Sequence, residues 1–224
     1  MEIGFHLNEV NPALLKNWPA LTGHSDESSG ASSGESSAGG SKGRVLVPLC
    51  GKTIDIIWLL QQGYEVVGAE LSRAALEELA EDISKQLDLE LSFQDLGDDL
   101  LVWQHPLVSL YCGDFFELTP EQVGNIDWVY DRGALVALPE DMRKPYTRQI
   151  KQLADNAVQL LVAFEYDQNQ HAGPPFSIPQ VEVHAHYGAA SVELLSEIEA
   201  IESEPKFKKK GLDSFVIRSY RIQH

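Results

Sequence analysis

Two hydrophobic spacings alternate along this chain. Short apolar runs at Val45-Leu46-Val47, Tyr64–Ser72, Val108–Cys112, Asp127–Asp131 and 158–166 read as buried strands. Between them the apolar positions recur at helical spacing. Val10, Leu14, Leu15 and Trp18 mark a helix over 8–20, opened by Asn8 or Asn11 with Pro12 in its first turn. Ile54, Ile57, Trp58 and Leu60 mark another, which ends at Gly63, and Leu76, Leu79, Ala80, Ile83 and Leu87 a third, capped by Ser72. Thr119-Pro120-Glu121 opens a short helix, and 139–155 and 179–187 read as two more.

Segments 89–94 and 99–104 suggest a hairpin turning at Leu96-Gly97-Asp98. The last two strands, about 190–200 and 213–222, show no helix between them and should pair antiparallel. Strand and helix in alternation with an antiparallel finish predict an α/β fold, a mostly parallel sheet with helices on both faces. Residues 22–43, TGHSDESSGASSGESSAGGSKG, interrupt the pattern with Ser, Gly, Ala and acids, and read as a disordered insertion. The 224 residues otherwise read as a single domain.

Charge narrows the partners. Lys and Arg number 17 against 34 acids, a net −17, a field that repels nucleic acid and anionic membrane. No apolar run approaches a bilayer span and no leader is evident, so the expectation is a cytoplasmic monomer acting on a small molecule. Cys50 and Cys112 are too few for a disulfide framework. No feature supplies Cys50 with a base, which favours a buried thiol over a nucleophile.

The turn after the first strand raises the central question. RVLVPLCGKT ends in Gly51-Lys52-Thr53, yet the first glycine of a phosphate loop falls on Leu46, inside the strand. A dinucleotide fingerprint would put Leu49 and Ile54 where glycines belong. Glu70, nineteen residues after Gly51, ends the second strand where doubly wound folds place a carboxylate on ribose hydroxyls. A ribose reader without a phosphate binder fits a nucleoside cofactor such as S-adenosylmethionine; the plainer reading is that Glu70 caps the next helix or meets solvent. The same rim carries Gly113-Asp114-Phe115-Phe116, Asp131-Arg132-Gly133 and Glu165-Tyr166-Asp167. Phe116 reads as core.

VLVPLCGKT…D, VVGAELS, LYCGDFFEL, DRGALVAL and EYDQ…GPPF, in that order, resemble the thiopurine S-methyltransferase family, including bacterial members that methylate selenium and tellurium compounds. The resemblance runs from Ile3-Gly4-Phe5-His6 to the last strand. It implies a seven-stranded class I methyltransferase fold with S-adenosylmethionine as methyl donor. It lays Leu49, Cys50 and Gly51 against the methionine part of the cofactor, Glu70 and Leu71 on the ribose, and Asp114 and Phe115 around the adenine. Asp131 and Arg132 would stand between cofactor and acceptor as catalytic residues, with Arg132 touching both. Phe5 and Pro174-Pro175-Phe176 match the acceptor-pocket wall, and Lys206 falls where some relatives place a second arginine. Family members usually begin with a further tryptophan-containing helix over the cofactor, while this sequence starts just before the Gly4-Phe5-His6 motif; the expectation is an upstream start or looser cofactor binding.

Other readings compete. Arg132 could simply pair with Asp131 or another carboxylate. His184 and His186, two apart on a helix, diverge by about 200° and cannot share a metal ion there. Lys208-Lys209-Lys210 reads as a solvated connection. A phosphotransferase using Lys52, or an adenosyl-binding module without turnover, are the alternatives to a methyltransferase.

Overall fold

Three stretches, residues 9–23, 41–188 and 191–224, are described by the computed structural model. Phe5 and residues 24–40 of the Ser-rich insertion lie outside them.

The chain runs α1 (Pro12–Thr22), β1 (Arg44–Val47), α2 (Asp55–Gln61), β2 (Glu65–Glu70), α3 (Arg73–Leu87), β3 (Ser92–Gly97), β4 (Leu100–His105) and β5 (Val108–Cys112). It continues through α4 (Pro120–Val123), β6 (Trp128–Arg132), α5 (Glu140–Leu153), β7 (Val158–Glu165), α6 (Gln180–Tyr187), β8 (Val192–Glu199), α7 (Pro205–Lys209) and β9 (Val216–Gln223). The strands form one sheet in the order β3-β4-β5-β2-β1-β6-β7-β9-β8. Five central strands, β5, β2, β1, β6 and β7, are parallel, and β9 and β8 finish the sheet antiparallel.

The resemblance implied seven strands; among the described residues the sheet has nine, as the segments read along the sequence did, with the β3–β4 hairpin on the free edge of β5. Its turn comes later than the sequence suggested: Asp98 and Asp99 both take left-handed backbone angles, φ 51° and 60°. Asp adopts that region more readily than most residues, and two such residues match the twist of a tight hairpin. The last two strands pair antiparallel as expected, but the short α7 lies between them, started by Pro205 and anchored by buried Phe207.

Alternating side chains of β6 show why both faces are covered. Tyr130 points one way and donates to Asp55 of α2 at 2.9 Å, while Asp131 points the other and accepts from Tyr146 of α5 at 2.8 Å. On the Tyr130 side, Trp18 of α1 packs edge-on against Tyr64, Trp128 and Tyr130 with centroids 5.7–6.3 Å apart. Asn11 caps α1 and Ser72 caps α3, each accepting a backbone N–H. Leu15, expected on the inner face of α1, is 47% exposed; buried Leu14, Asn17 and Trp18 define that face instead. Among the described residues no helix is long and apolar enough to cross a membrane.

Candidate active site

The parallel strands deliver their carboxyl ends to one rim, where successive loops leave the sheet. After β1 the chain turns sharply: Leu49 takes φ 45° and Gly51 φ 54°, so a leucine is held in the left-handed region at the rim. The carboxylate of Glu70, at the end of β2, holds that turn. Its Oε2 accepts the Gly51 N–H at 2.8 Å and its Oε1 accepts the Ser72 N–H at 2.8 Å. A carboxylate has about four acceptor positions, so a lone pair on each oxygen is left for a pair of ligand hydroxyls. The next side chain, Leu71, is 72% exposed, an apolar surface that packing among the described residues does not cover. Glu70, Leu71 and the Leu49–Gly51 turn therefore fit an adenosyl group, the carboxylate towards ribose and the leucine towards an apolar ring.

Cys50 belongs to the framework of this turn. Its N–H donates to Ala69 at 2.9 Å, its thiol is buried against the sheet, and burial, reinforced by the Glu70 charge, pushes the thiol far up from its ordinary range. A buried thiol held in its neutral form is a poor nucleophile. Lys52 forms an ion pair with Glu78 of α3, and Leu46 is buried in β1, so no triphosphate loop forms.

After β5, Asp114 accepts the Phe116 N–H at 2.9 Å and starts a single 3-10 turn, Phe115–Glu117. Both phenylalanines pack on the core, Phe115 the more deeply. Phe115 is 2% exposed and packs on Tyr146 with centroids 5.5 Å apart, while Phe116 is half-buried. Leu118 and Phe115 also offer their carbonyls to buried Gln149 of α5, which draws the first ring of the turn into the core.

After β6 the expected pair separates. Arg132, the strand's last residue, is half-buried. Asp131 does not reach the surface of the rim. It is 0% exposed on the α5 side of the sheet, where Leu135 N–H (3.2 Å), Tyr146 OH (2.8 Å) and Gln159 Nε2 (3.3 Å) donate to it. Burial raises its carboxyl to about 6 in spite of these bonds. The strand's period of two puts neighbours on opposite faces, so two adjacent side chains cannot both face a ligand in the same way.

The loop after β7 brings Pro174, Pro175 and Phe176 to the same end of the sheet. Gly173 has φ 86°, and a Cβ there would lie 2.6 Å from the Phe176 ring, so only glycine lets the loop fold over that ring. Pro174 is exposed and Pro175 buried, with its carbonyl taking the Tyr166 hydroxyl. Phe176 donates its N–H to Val136 at 2.6 Å and lies 5.4 Å from the guanidinium of Arg143. Arg143, Tyr166, Phe176 and Pro139 line a cleft of about 610 Å³ together with Glu140 and Glu182. Lys206, on α7, pairs with Glu204 at 3.2 Å and sits over Phe207 at 5.1 Å.

Three groups that organise this rim carry no sequence signal of their own. Asp55, read only as the last letter of a motif, takes the Asn11 N–H at 2.8 Å and the Tyr130 hydroxyl at 2.9 Å, and so pins the start of α1 beside the rim. Arg143 donates to the Leu138 carbonyl at 3.0 Å and to both oxygens of Glu182 at 2.8 and 3.0 Å. Gln159, fully buried in β7, joins Asp131 to Tyr187. His184 and His186 turn to different partners, Gln180 and Glu182. Among the described residues no three metal-ligating side chains converge.

The profile of the thiopurine S-methyltransferase family matches residues 33–224. The thiopurine S-methyltransferase of Pseudomonas entomophila (strain L48) is 39% identical over 224 residues, covering 99% of this chain and 93% of that protein. That of Teredinibacter turnerae (strain ATCC 39867 / T7901) is 45% identical over 187 residues, covering 84% and 77%. Among solved structures, the magnesium protoporphyrin IX methyltransferase of Synechocystis PCC 6803 with bound SAM superposes with a TM-score of 0.53 at 15% identity, covering 80% of this chain and 69% of that one. That likeness is one of fold.

Proposed function

The chain belongs to the thiopurine S-methyltransferase family, and we propose that it transfers a methyl group from S-adenosylmethionine to the sulfur of an aromatic or heterocyclic thiol. Selenium and tellurium species are further acceptors of the same soft kind. The observation that carries the reading is Glu70, fixed through one lone pair on each oxygen and presenting the others at the rim beside exposed Leu71.

When bound, S-adenosylmethionine supplies a methyl group on a positively charged sulfur, and its departure as a neutral thioether needs no acid. The protein's task is alignment. Glu70 and the Leu49–Gly51 backbone hold the donor, Phe116 and Leu71 enclose its ring, and Phe176 with Pro175 walls an apolar acceptor. Holding two reactants in line supplies several kcal/mol, up to about 7–11 for ideal alignment. A thiolate needs no general base once ionised, and the burial of Asp131 fits a rim without one. Arg132 favours the thiolate through its positive charge and stands where donor and acceptor meet.

Calorimetry with S-adenosylmethionine, its demethylated product and ATP, followed by mass spectrometry of an aromatic thiol incubated with the donor, tests this. Binding of both adenosyl ligands and an S-methylated product are expected. Binding without any product leaves an adenosyl-binding module, and ATP binding in their place restores the phosphotransferase reading through Lys52.

A further inference from the structure

Resting on that reading of the rim, we propose that Asp131 is a positioning residue: its buried carboxylate sets the turn after β6 and, through that turn, fixes the acceptor wall at Phe176. Three elements send donors to this one side chain. Leu135 N–H comes from the turn itself, Tyr146 OH from α5 and Gln159 Nε2 from β7, at 3.2, 2.8 and 3.3 Å. Asp131, Tyr146 and Gln159 are all fully buried.

A buried carboxylate is costly, and apolar residues of similar volume commonly serve stability as well or better. What it does here is local. Leu135 begins a 3-10 turn, Leu135–Ala137, and the carbonyls that follow are used in sequence. Val136 O accepts the Phe176 N–H at 2.6 Å, and Leu138 O accepts Arg143 Nε at 3.0 Å, the guanidinium that faces the Phe176 ring. Arg132 enters the same turn from the strand side. One short segment thus carries an arginine of the rim at its start and the anchor of the acceptor wall in its middle, and Asp131 ties that segment to the sheet.

The other titratable groups around the knot leave Asp131 as the one that changes charge nearest neutrality. Tyr146, Tyr187 and Tyr130 are pushed well above their ordinary range by burial. His224, 2.7 Å from Gln159 Oε1, is held down to about 4, chiefly by burial.

The test is amide exchange by mass spectrometry on the full chain, comparing wild type with Asp131→Asn and Tyr146→Phe. Acceptor KM and the dissociation constant of S-adenosylhomocysteine are measured alongside. Loss of a buried partner should speed exchange about tenfold or more in both 132–138 and 173–178. Exchange in Val158–Glu165 should stay as it is. Acceptor KM should rise severalfold, with cofactor affinity within about twofold. Tyr146→Phe, which keeps the carboxylate and removes one donor, should give the same pattern more weakly. Faster exchange confined to 132–138, or spread evenly through the sheet, overturns the proposal. So does an unchanged acceptor KM in an active enzyme. If wild type methylates no thiol, the reading of the site falls, and the exchange pattern alone decides whether Asp131 couples the two segments.

Discussion

At the scale of single residues, two carboxylates show how position decides role. Glu70 sits at a strand end, and each of its oxygens already serves the fold through a backbone N–H. Glu70→Ala should therefore act twice, weakening S-adenosylhomocysteine binding about tenfold or more and costing about 1–2 kcal/mol of stability. Calorimetry and denaturant unfolding separate the two effects. Asp131, one residue short of a strand end, is enclosed, and burial raises its carboxyl from 3.8 to about 6. Its folded form binds the proton more tightly than its unfolded form, so its contribution to stability is complete below about 3.8 and lost as pH rises through about 6. Wild type should gain on Asp131→Asn on acidification from pH 7, by about 1 kcal/mol at pH 5. Urea midpoints of both proteins across that range measure it; a constant gap would place the carboxyl near its ordinary value.

At the scale of elements, the rim depends on how helices grip the loops. Arg143 of α5 bonds Leu138 of the preceding turn, Glu182 of α6 and the face of Phe176, so one side chain joins two helices and the loop after β7. Arg143→Met should destabilise the protein by about 2 kcal/mol, less than a fully buried pair would because Glu182 retains some exposure. It should also raise acceptor KM more than it changes cofactor affinity. Arg143→Lys keeps the charge without the fork and should fall between. Steady-state kinetics with calorimetry checks the ordering. The helices themselves were legible: Asn11 before Pro12, Ser72 three residues before Ala75 and Thr119 before Pro120 each cap where their side chains predict. The short α7 was not, because one turn with a single buried Phe207 is too brief to show a period.

At the scale of the whole molecule, the net charge of −17 surrounds the proposed acceptor site, and the cleft beside Phe176 also carries Glu140 and Asp167. An aromatic thiol with an added carboxylate should approach against this field, and salt should relieve the opposition. Its kcat/KM should rise a few-fold between about 20 and 200 mM salt, while that of the neutral amide stays nearly level. Parallel slopes for the two acceptors would remove the field from acceptor choice.

The sequence by itself determined the alternation of strand and helix, the antiparallel finish, and the rim turns at Leu49-Cys50-Gly51, Glu70 and Asp131-Arg132. These follow from local periodicity and from the rule that parallel strands open their ligand sites at their carboxyl ends. Only the tertiary structure decided which member of each adjacent pair faces that rim. Phe115 is buried and Phe116 half-buried, Asp131 is buried while Arg132 is half-buried, and Arg143 is drawn onto the ring of Phe176. The physical reason is that neighbours in a strand or tight turn point in different directions, and which direction is core depends on elements such as α5 that pack from far along the chain.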